Sequence, residues 1–294
     1  MTLQSTLHRK AGLILITPIM VYFLVFFAYP MYILFYDAFT RGGRFTTAEF
    51  SKMPQDPLLL HSLTNTLYYF VATVALEFLI GFGAALVLYW YMGRLKRVFQ
   101  TFLILPLVIS PVAISLMWVL LLSPTFGPVD YILGFFGLHS PNWLGSTSLA
   151  MPAIIFASSW EYSPFIFLVV YAALLSVPRQ LYEAASIDGM GRWAAFRHIT
   201  VPGIRAAAVV GFVLESVGVM KSFALIYVLT NGGPGNATYI LGFYIYQVAF
   251  SFFETHYAAA LSLLFLAIVT SFVAFVLKFT SVEKYLGLKG VAQG

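Results

Sequence analysis

Long apolar runs separated by short polar ones dominate the chain, and six of them reach the roughly 20 residues that cross a bilayer as a helix. They lie at 11–36, 62–92, 98–122, 149–176, 205–229 and 257–281. A segment surrounded by hydrocarbon must satisfy its own backbone hydrogen bonds, so each run predicts an α-helix. Continuous stretches such as GLILITPIMVYFLVFF lack the alternation of barrel strands. The pattern therefore predicts an all-α, polytopic membrane bundle of six transmembrane helices, with residues 1–294 as a single domain. No internal repeat, low-complexity tract or linker marks off a second one. The first run exceeds a secretory h-region in length and no small-x-small cleavage site follows it, so it reads as a retained span.

Composition supports the bilayer and excludes several chemistries. Hydrophobic residues make up 61% of the chain and charged residues only 9%, where a soluble domain carries about 25% charged residues. The aromatic share of 18% suits belts at two membrane interfaces. There is no cysteine, which removes disulfides, thiolate metal sites and thiol nucleophiles. The net charge of +5 does not imply a nucleic-acid partner, because the charges sort by loop. Twelve of the sixteen Lys and Arg residues fall in the N-terminus, the 93–97 loop, the 178–205 loop and the C-terminal tail: Arg9, Lys10, Arg94, Lys96, Arg97, Arg179, Arg192, Arg197, Arg205, Lys278, Lys284 and Lys289. The other loops hold Arg41, Arg44 and Lys52, and Lys221 lies within a span. The positive-inside rule then places both termini in the cytoplasm. Tyr89, Trp90 and Tyr91 are expected in the inner aromatic belt.

One polar island, EAASIDGMGRWAAFRHITVP from Glu183 to Pro202, interrupts the apolar chain on the cytoplasmic side. Ser176 can cap a helix there, with Pro178 in its first turn. Gly189 is placed to end that helix, and RWAAFRHIT is expected as a second helix that stops at Pro202. Leu181, Ala184, Ala185, Ile187, Trp193, Phe196 and Ile199 fall at helical spacing and predict one greasy face. Such an element either lies on lipid headgroups or docks into a groove of a cytosolic partner. On the outer side, TNGGPGNATY is turn chemistry. The aromatic segment after it predicts a short interfacial or re-entrant helix packed on the bundle.

Four ionisable residues fall inside spans: Glu77, Glu161, Glu215 and Lys221. Intramembrane charges of this kind mark pathways or pairing sites. Glu161 and Glu215 sit near the middle of the fourth and fifth spans, where they can line one polar cavity beside Trp160, Tyr162 and Phe165. The alternative is that they pair with each other, with Lys221 or with a partner subunit. Glu215 and Lys221 are six apart and share no helix face. Glu77 reads as a structural pairing site. Pro106 and Pro111 are expected to kink the third span, and Pro164 to loosen the fourth.

The island carries a spacing pattern of its own. Glu183-Ala184-Ala185 is followed by Gly189, Ile199 and Val201-Pro202. This resembles the motif of membrane subunits of binding-protein-dependent ABC importers, with Val in place of Leu before the proline. The loop TNGGPGNATYIL and the HYAAALS stretch are similar to the carbohydrate branch, the maltose- and glycerol-phosphate-type permeases. The resemblance implies a type I importer fold in a prokaryotic inner membrane. It makes 178–202 the coupling element held by an ATPase subunit, with Glu183 as anchor, Gly189 as hinge, and Ala184, Ala185, Asp188 and Arg192 beside them. It also implies a second permease subunit as heterodimeric partner, two ATPase subunits and an extracytoplasmic solute-binding protein. The solute would be a sugar or sugar-like molecule. Alignment on the island and on TNGGP carries over Ser158, Tyr162, Phe165, Glu215, Gly218, Val219 and Ser222 as path residues, which join Glu161.

No GxxxxGK[ST] occurs, and GGPG at 232–235 lacks the following Lys, so this chain is expected to bind no cofactor, with ATP and Mg used by the ATPase subunits. Two other classes fit less well. A self-contained ion-coupled secondary transporter would leave the island without a purpose and commonly shows repeats. A membrane enzyme would need acids and histidines clustered, whereas His8, His61, His139, His198 and His256 are scattered.

Overall fold

The computed structural model describes residues 16–91, 93 and 95–280. The expected positions Arg9, Lys10, Arg94, Lys284 and Lys289, together with His8, residues 11–15 of the first run and residue 281 of the last, lie outside the described residues. The described residues form two compact units, 16–57 with 245–268 and 58–244 with 269–280.

In the first unit, α1 (Ile16–Phe39) is long and apolar enough to span. It contains a π-helical stretch, Leu24–Ala28. Its side chains are almost all exposed, as suits a helix whose surroundings are lipid. A short hairpin follows, β1 (Thr40–Arg41) antiparallel to β2 (Arg44–Phe45), with Thr40 opposite Phe45. Gly42 and Gly43 supply the two positive φ values, 58° and 75°, that a tight primed turn requires. Phe39 stacks on Phe45 and on Phe50 of α2 (Ala48–Lys52). Glu49 is buried at 3% exposure and is satisfied by Arg41 at 3.2 Å and Lys52 at 2.7 Å. The Tyr257 hydroxyl donates to Asp56 Oδ2 at 2.6 Å, and His256 Nδ1 donates to the Asp37 carbonyl at 2.9 Å.

The second unit is organised around α7 (Ala150–Ser176), the most buried of the long helices. It packs with α3 (Pro57–Trp90) and α10 (Val201–Met220), burying Ala85, Leu88, Ile166, Phe167, Val170, Leu174 and Ile204 together. The approach of α3 to α7 is close at Gly81, where an added Cβ would stand 2.5 Å from the Ser163 carbonyl oxygen. Lipid-facing positions such as Leu79, Phe102 and Val108 are correspondingly exposed. At 34 residues, α3 is about 50 Å long, more than a hydrocarbon core of about 30 Å needs.

The third run is bent at Pro111, as expected, but far more sharply than a kink, while Pro106 lies inside a helix. It forms two helices, α4 (Lys96–Val108) and α5 (Pro111–Leu121), at 101° to one another. Neither is long enough to cross alone. Pro111 starts the second helix where its missing N–H costs nothing, and Ile109 and Ser110 are extended, as residues before a proline tend to be. α6 (Pro128–Phe135) lies between α5 and α7 in the chain.

The island forms α8 (Arg179–Ile187) and α9 (Arg192–Ala195). Ser176 does not cap α8: it ends α7 and its hydroxyl donates to the Ala173 carbonyl, while Pro178 occupies the cap position. Gly189 does end α8, at φ 75°. Its N–H donates to the Ser186 carbonyl and that of Met190 to the Ala185 carbonyl, the paired bonds of a Schellman termination. Pro202 does not stop the next helix. A π turn, Phe196–Thr200, leads straight from α9 into α10, and Val201 N–H donates to the Phe196 carbonyl. The wider turn relieves the clash between a proline ring and the carbonyl four residues before it. Together with α11 (Ala224–Leu229) these segments make a span of 38 residues, Arg192–Leu229, broken at 221–223.

Beyond it the 230–240 loop is fixed by α3. The Asn65 amide donates toward the carbonyls of Ala237 (3.2 Å) and Tyr239 (3.0 Å), and the Thr66 hydroxyl accepts from Leu241 N–H. The segment after it is the expected short helix, α12 (Leu241–Phe250), with Leu241, Phe243, Tyr244 and Val248 buried. The last run is α13 (Thr255–Thr280).

Candidate functional site

The second unit holds a cavity of about 670 Å³ walled by α7, α10, α11 and the α4–α5 break. On α7 it is lined by Ser158, Tyr162 and Phe165, which recur at i, i+4 and i+7 and so share one helix face. On α10 and the break after it the lining is Glu215, Gly218, Val219 and Ser222, at the same spacing. Seven of the expected path residues thus meet around one space. Glu161 does not: it lies one step off the α7 stripe, is 2% exposed, and its Oε2 has no hydrogen-bond partner.

Three features of the site were not assigned from sequence. Leu107 and Pro111 form part of the wall because the third span breaks, which apolar composition alone does not signal. Tyr69, in the middle of α3 and fully buried, donates its hydroxyl to Ser158 Oγ at 3.0 Å and thereby fixes one lining group. Lys221 lines the cavity where the chain leaves α10. Glu77 adjoins Glu215, carboxyl to carboxyl, and neither Glu77 oxygen has a partner of standard hydrogen-bond geometry. Among the described residues no group of acids and histidines is arranged to hold a metal ion. The lining offers hydroxyl, carboxyl and ammonium groups for a polar solute, and aromatic faces for the apolar side of a sugar ring.

The island is the second functional element. Glu183, Ala184, Asp188, Gly189 and Arg192 are exposed, whereas Ala185 is buried. The predicted single greasy face is in fact divided. Ala185, Tyr182, Phe196 and Ile199 turn inward, and the Tyr182 hydroxyl meets Thr200 Oγ1 at 3.0 Å while its ring sits edge-on to Trp90. Leu181, Ile187, Met190 and Trp193 remain exposed. The hairpin is thus rooted on the bundle by one side and presents apolar and charged groups on the other.

The family description "Binding-protein-dependent transport system inner membrane component" matches residues 77–281, which include both the cavity lining and the island. The chain belongs to this family. Relatives extend along most of its length. It is 29% identical to the trehalose/maltose transport system permease protein MalF of Thermococcus litoralis, over 92% of this chain and 94% of that one. It is 35% identical to the sn-glycerol-3-phosphate transport system permease protein UgpA of Escherichia coli, over 82% and 76% respectively. The fold is that of a bacterial ABC transporter chain involved in the import of the acidic polysaccharide alginate, with a TM-score of 0.87, 24% identity, and coverage of 96% and 99%. As a member of this family the protein is a multi-pass inner-membrane component of a binding-protein-dependent transport system, which does not support a self-contained ion-coupled carrier.

Proposed function

We propose that the whole chain works as one permease half of an ATP-driven importer for a sugar or sugar-like solute. It pairs with a second permease subunit, receives its solute from an extracytoplasmic binding protein, and is driven by two ATPase subunits. The observation that carries the reading is the convergence of Ser158, Tyr162, Phe165, Glu215, Gly218, Val219 and Ser222 on one cavity. Relatives named for trehalose and maltose, for sn-glycerol 3-phosphate and for sulfoquinovosyl glycerol support the substrate class.

The 178–202 hairpin is the coupling element in this reading. Glu183, Ala184, Asp188, Gly189 and Arg192 meet the ATPase, and buried Ala185 lets α8 sit close on the bundle. ATP-driven closure of the ATPase pair then moves two such hairpins together and switches the membrane halves between discrete packings. Hydrolysis, with its ATP and Mg, takes place on the other subunits, and both termini of this chain are cytoplasmic. Purified with its partners and reconstituted in lipid, the complex is expected to take up solute only with both ATP and the binding protein present. Uptake by this chain alone under an ion gradient would overturn the reading.

A further inference from the structure

The cavity has one cationic lining residue, and its placement assigns it a role. Lys221 follows the last residue of α10, at the break before α11. Its N–H donates to the Val217 carbonyl at 3.2 Å, so its backbone is fixed to the helix end while its side chain is exposed. It stands about 24 Å of helix rise beyond Arg205, most of the way from the inner headgroups across a hydrocarbon core of about 30 Å. An ammonium group there is costly unless a counter-charge or a water-filled space receives it.

Among the described residues the Lys221 side chain has no ion pair. None of the acids of α3, α7 and α10 forms an ion pair with Lys221. Glu215 is 6% exposed and adjoins Glu77, and Glu161 lies off the lining. What the cavity offers a solute is therefore an open cation, the largely buried carboxyl of Glu215, the hydroxyls of Ser158, Tyr162 and Ser222, and the rings of Tyr162 and Phe165.

We propose that Lys221 selects for an anionic solute, a sugar or polyol carrying an acidic group that docks on its Nζ. This rests on the importer reading and narrows its substrate class. The acidic group meets Lys221 while the Tyr162 and Phe165 rings take the apolar face of the sugar.

The chain has no cysteine, so Ser222→Cys places a single thiol beside Lys221 in this subunit. In the purified complex with the second permease and ATPase subunits, its modification is followed by peptide mass spectrometry. Two methanethiosulfonates are compared, one bearing a sulfonate and one a trimethylammonium group, each normalised to its rate with a free thiol. The anionic reagent is expected to react at least tenfold faster, since a unit charge within about 10 Å at an effective dielectric near 20 is worth roughly 1.7 kcal/mol for each reagent, with opposite signs for the two. Adding Lys221→Gln should abolish the preference and adding Lys221→Arg should keep it.

Val219→Cys serves as a second reporter if Ser222→Cys disturbs assembly. Equal rates, a preference for the cation, or a ratio indifferent to Lys221→Gln overturns the proposal. Glucuronate and glucose 6-phosphate, against glucose, complete the test and separate a carboxylate from a phosphate site. Slowing by at least one acidic probe and not by glucose supports it, and protection by neither, or equally by glucose, overturns it. These readouts need no transport. Their failure leaves ATP- and binding-protein-dependent uptake standing, and failure of that uptake leaves the measured charge preference as it is.

Discussion

At Gly189 the conformation, and not the space, makes glycine necessary. An added Cβ would meet nothing within 4 Å, but φ is 75°. Alanine there carries only the left-handed backbone penalty, roughly 1–2 kcal/mol. Proline cannot adopt that φ and also removes the N–H bonded to Ser186. ATP-dependent uptake is therefore expected to fall several-fold for Gly189→Ala and by well over tenfold for Gly189→Pro, at unchanged membrane levels. Glu183 tests the contact itself. It is exposed, so Glu183→Lys should leave folding intact while reversing the charge offered to the ATPase. Uptake by that variant should collapse while ATP hydrolysis by the complex loses its response to the loaded binding protein. Normal uptake by either Gly189→Pro or Glu183→Lys would show that the coupling contact lies elsewhere.

Elements were legible in the sequence where one physical rule dominated, and illegible where two competed. Five of the six apolar runs are continuous helices or helix series that can span, because lipid leaves the backbone no other partner. The third breaks at 101° because an apolar run reports depth of burial and says nothing of direction, while Pro111 can either kink a helix or begin one. Pro202 shows the converse, a proline absorbed by a π turn that its sequence does not announce. The lining stripes on α7 and α10 follow helical spacing, but Glu161 was placed with Tyr162 although adjacent residues on a helix point about 100° apart. Tyr69 carried no sequence signal, since its contact with Ser158 spans 89 positions.

Two element contacts make predictions of their own. Gly81→Ala forces a Cβ into the Ser163 carbonyl and should cost about 1–3 kcal/mol, read as a lower melting temperature of the purified protein. Gly83→Ala meets open space and should be neutral or slightly stabilising. The same sign for both would contradict the close α3–α7 approach. Asn65→Ala removes the donor shared by the Ala237 and Tyr239 carbonyls, so amide exchange across 231–239 should accelerate while α7 stays protected.

For the whole molecule, orientation decides whether the 178–202 hairpin faces the compartment in which an ATPase could hold it. If the 178–202 hairpin couples to a cytosolic ATPase as proposed, it must face the cytoplasm, and the positive-inside rule then assigns the loop holding Arg41, Arg44 and Lys52 to the side from which solute arrives. Charge bias supports this arrangement, since Lys96, Arg97, Arg179, Arg192, Arg197 and Arg205 all fall in the two loops assigned to the cytoplasm. The absence of cysteine makes the arrangement directly measurable with single introduced thiols. Gly93 and Thr47 are both exposed, and a Cβ at Gly93 meets nothing. In intact cells whose outer layers are open to small reagents, a membrane-impermeant maleimide should label Thr47→Cys at once and Gly93→Cys only after the inner membrane is permeabilised. Thr47 is preferable to a position nearer Glu49, because its side chain makes no hydrogen bond that labelling would break, while its carbonyl continues to receive Phe50 and Ser51 N–H. The reverse order of labelling would put the 178–202 hairpin outside the cell, where no ATPase can hold it, and mechanical drive through that hairpin would then be impossible.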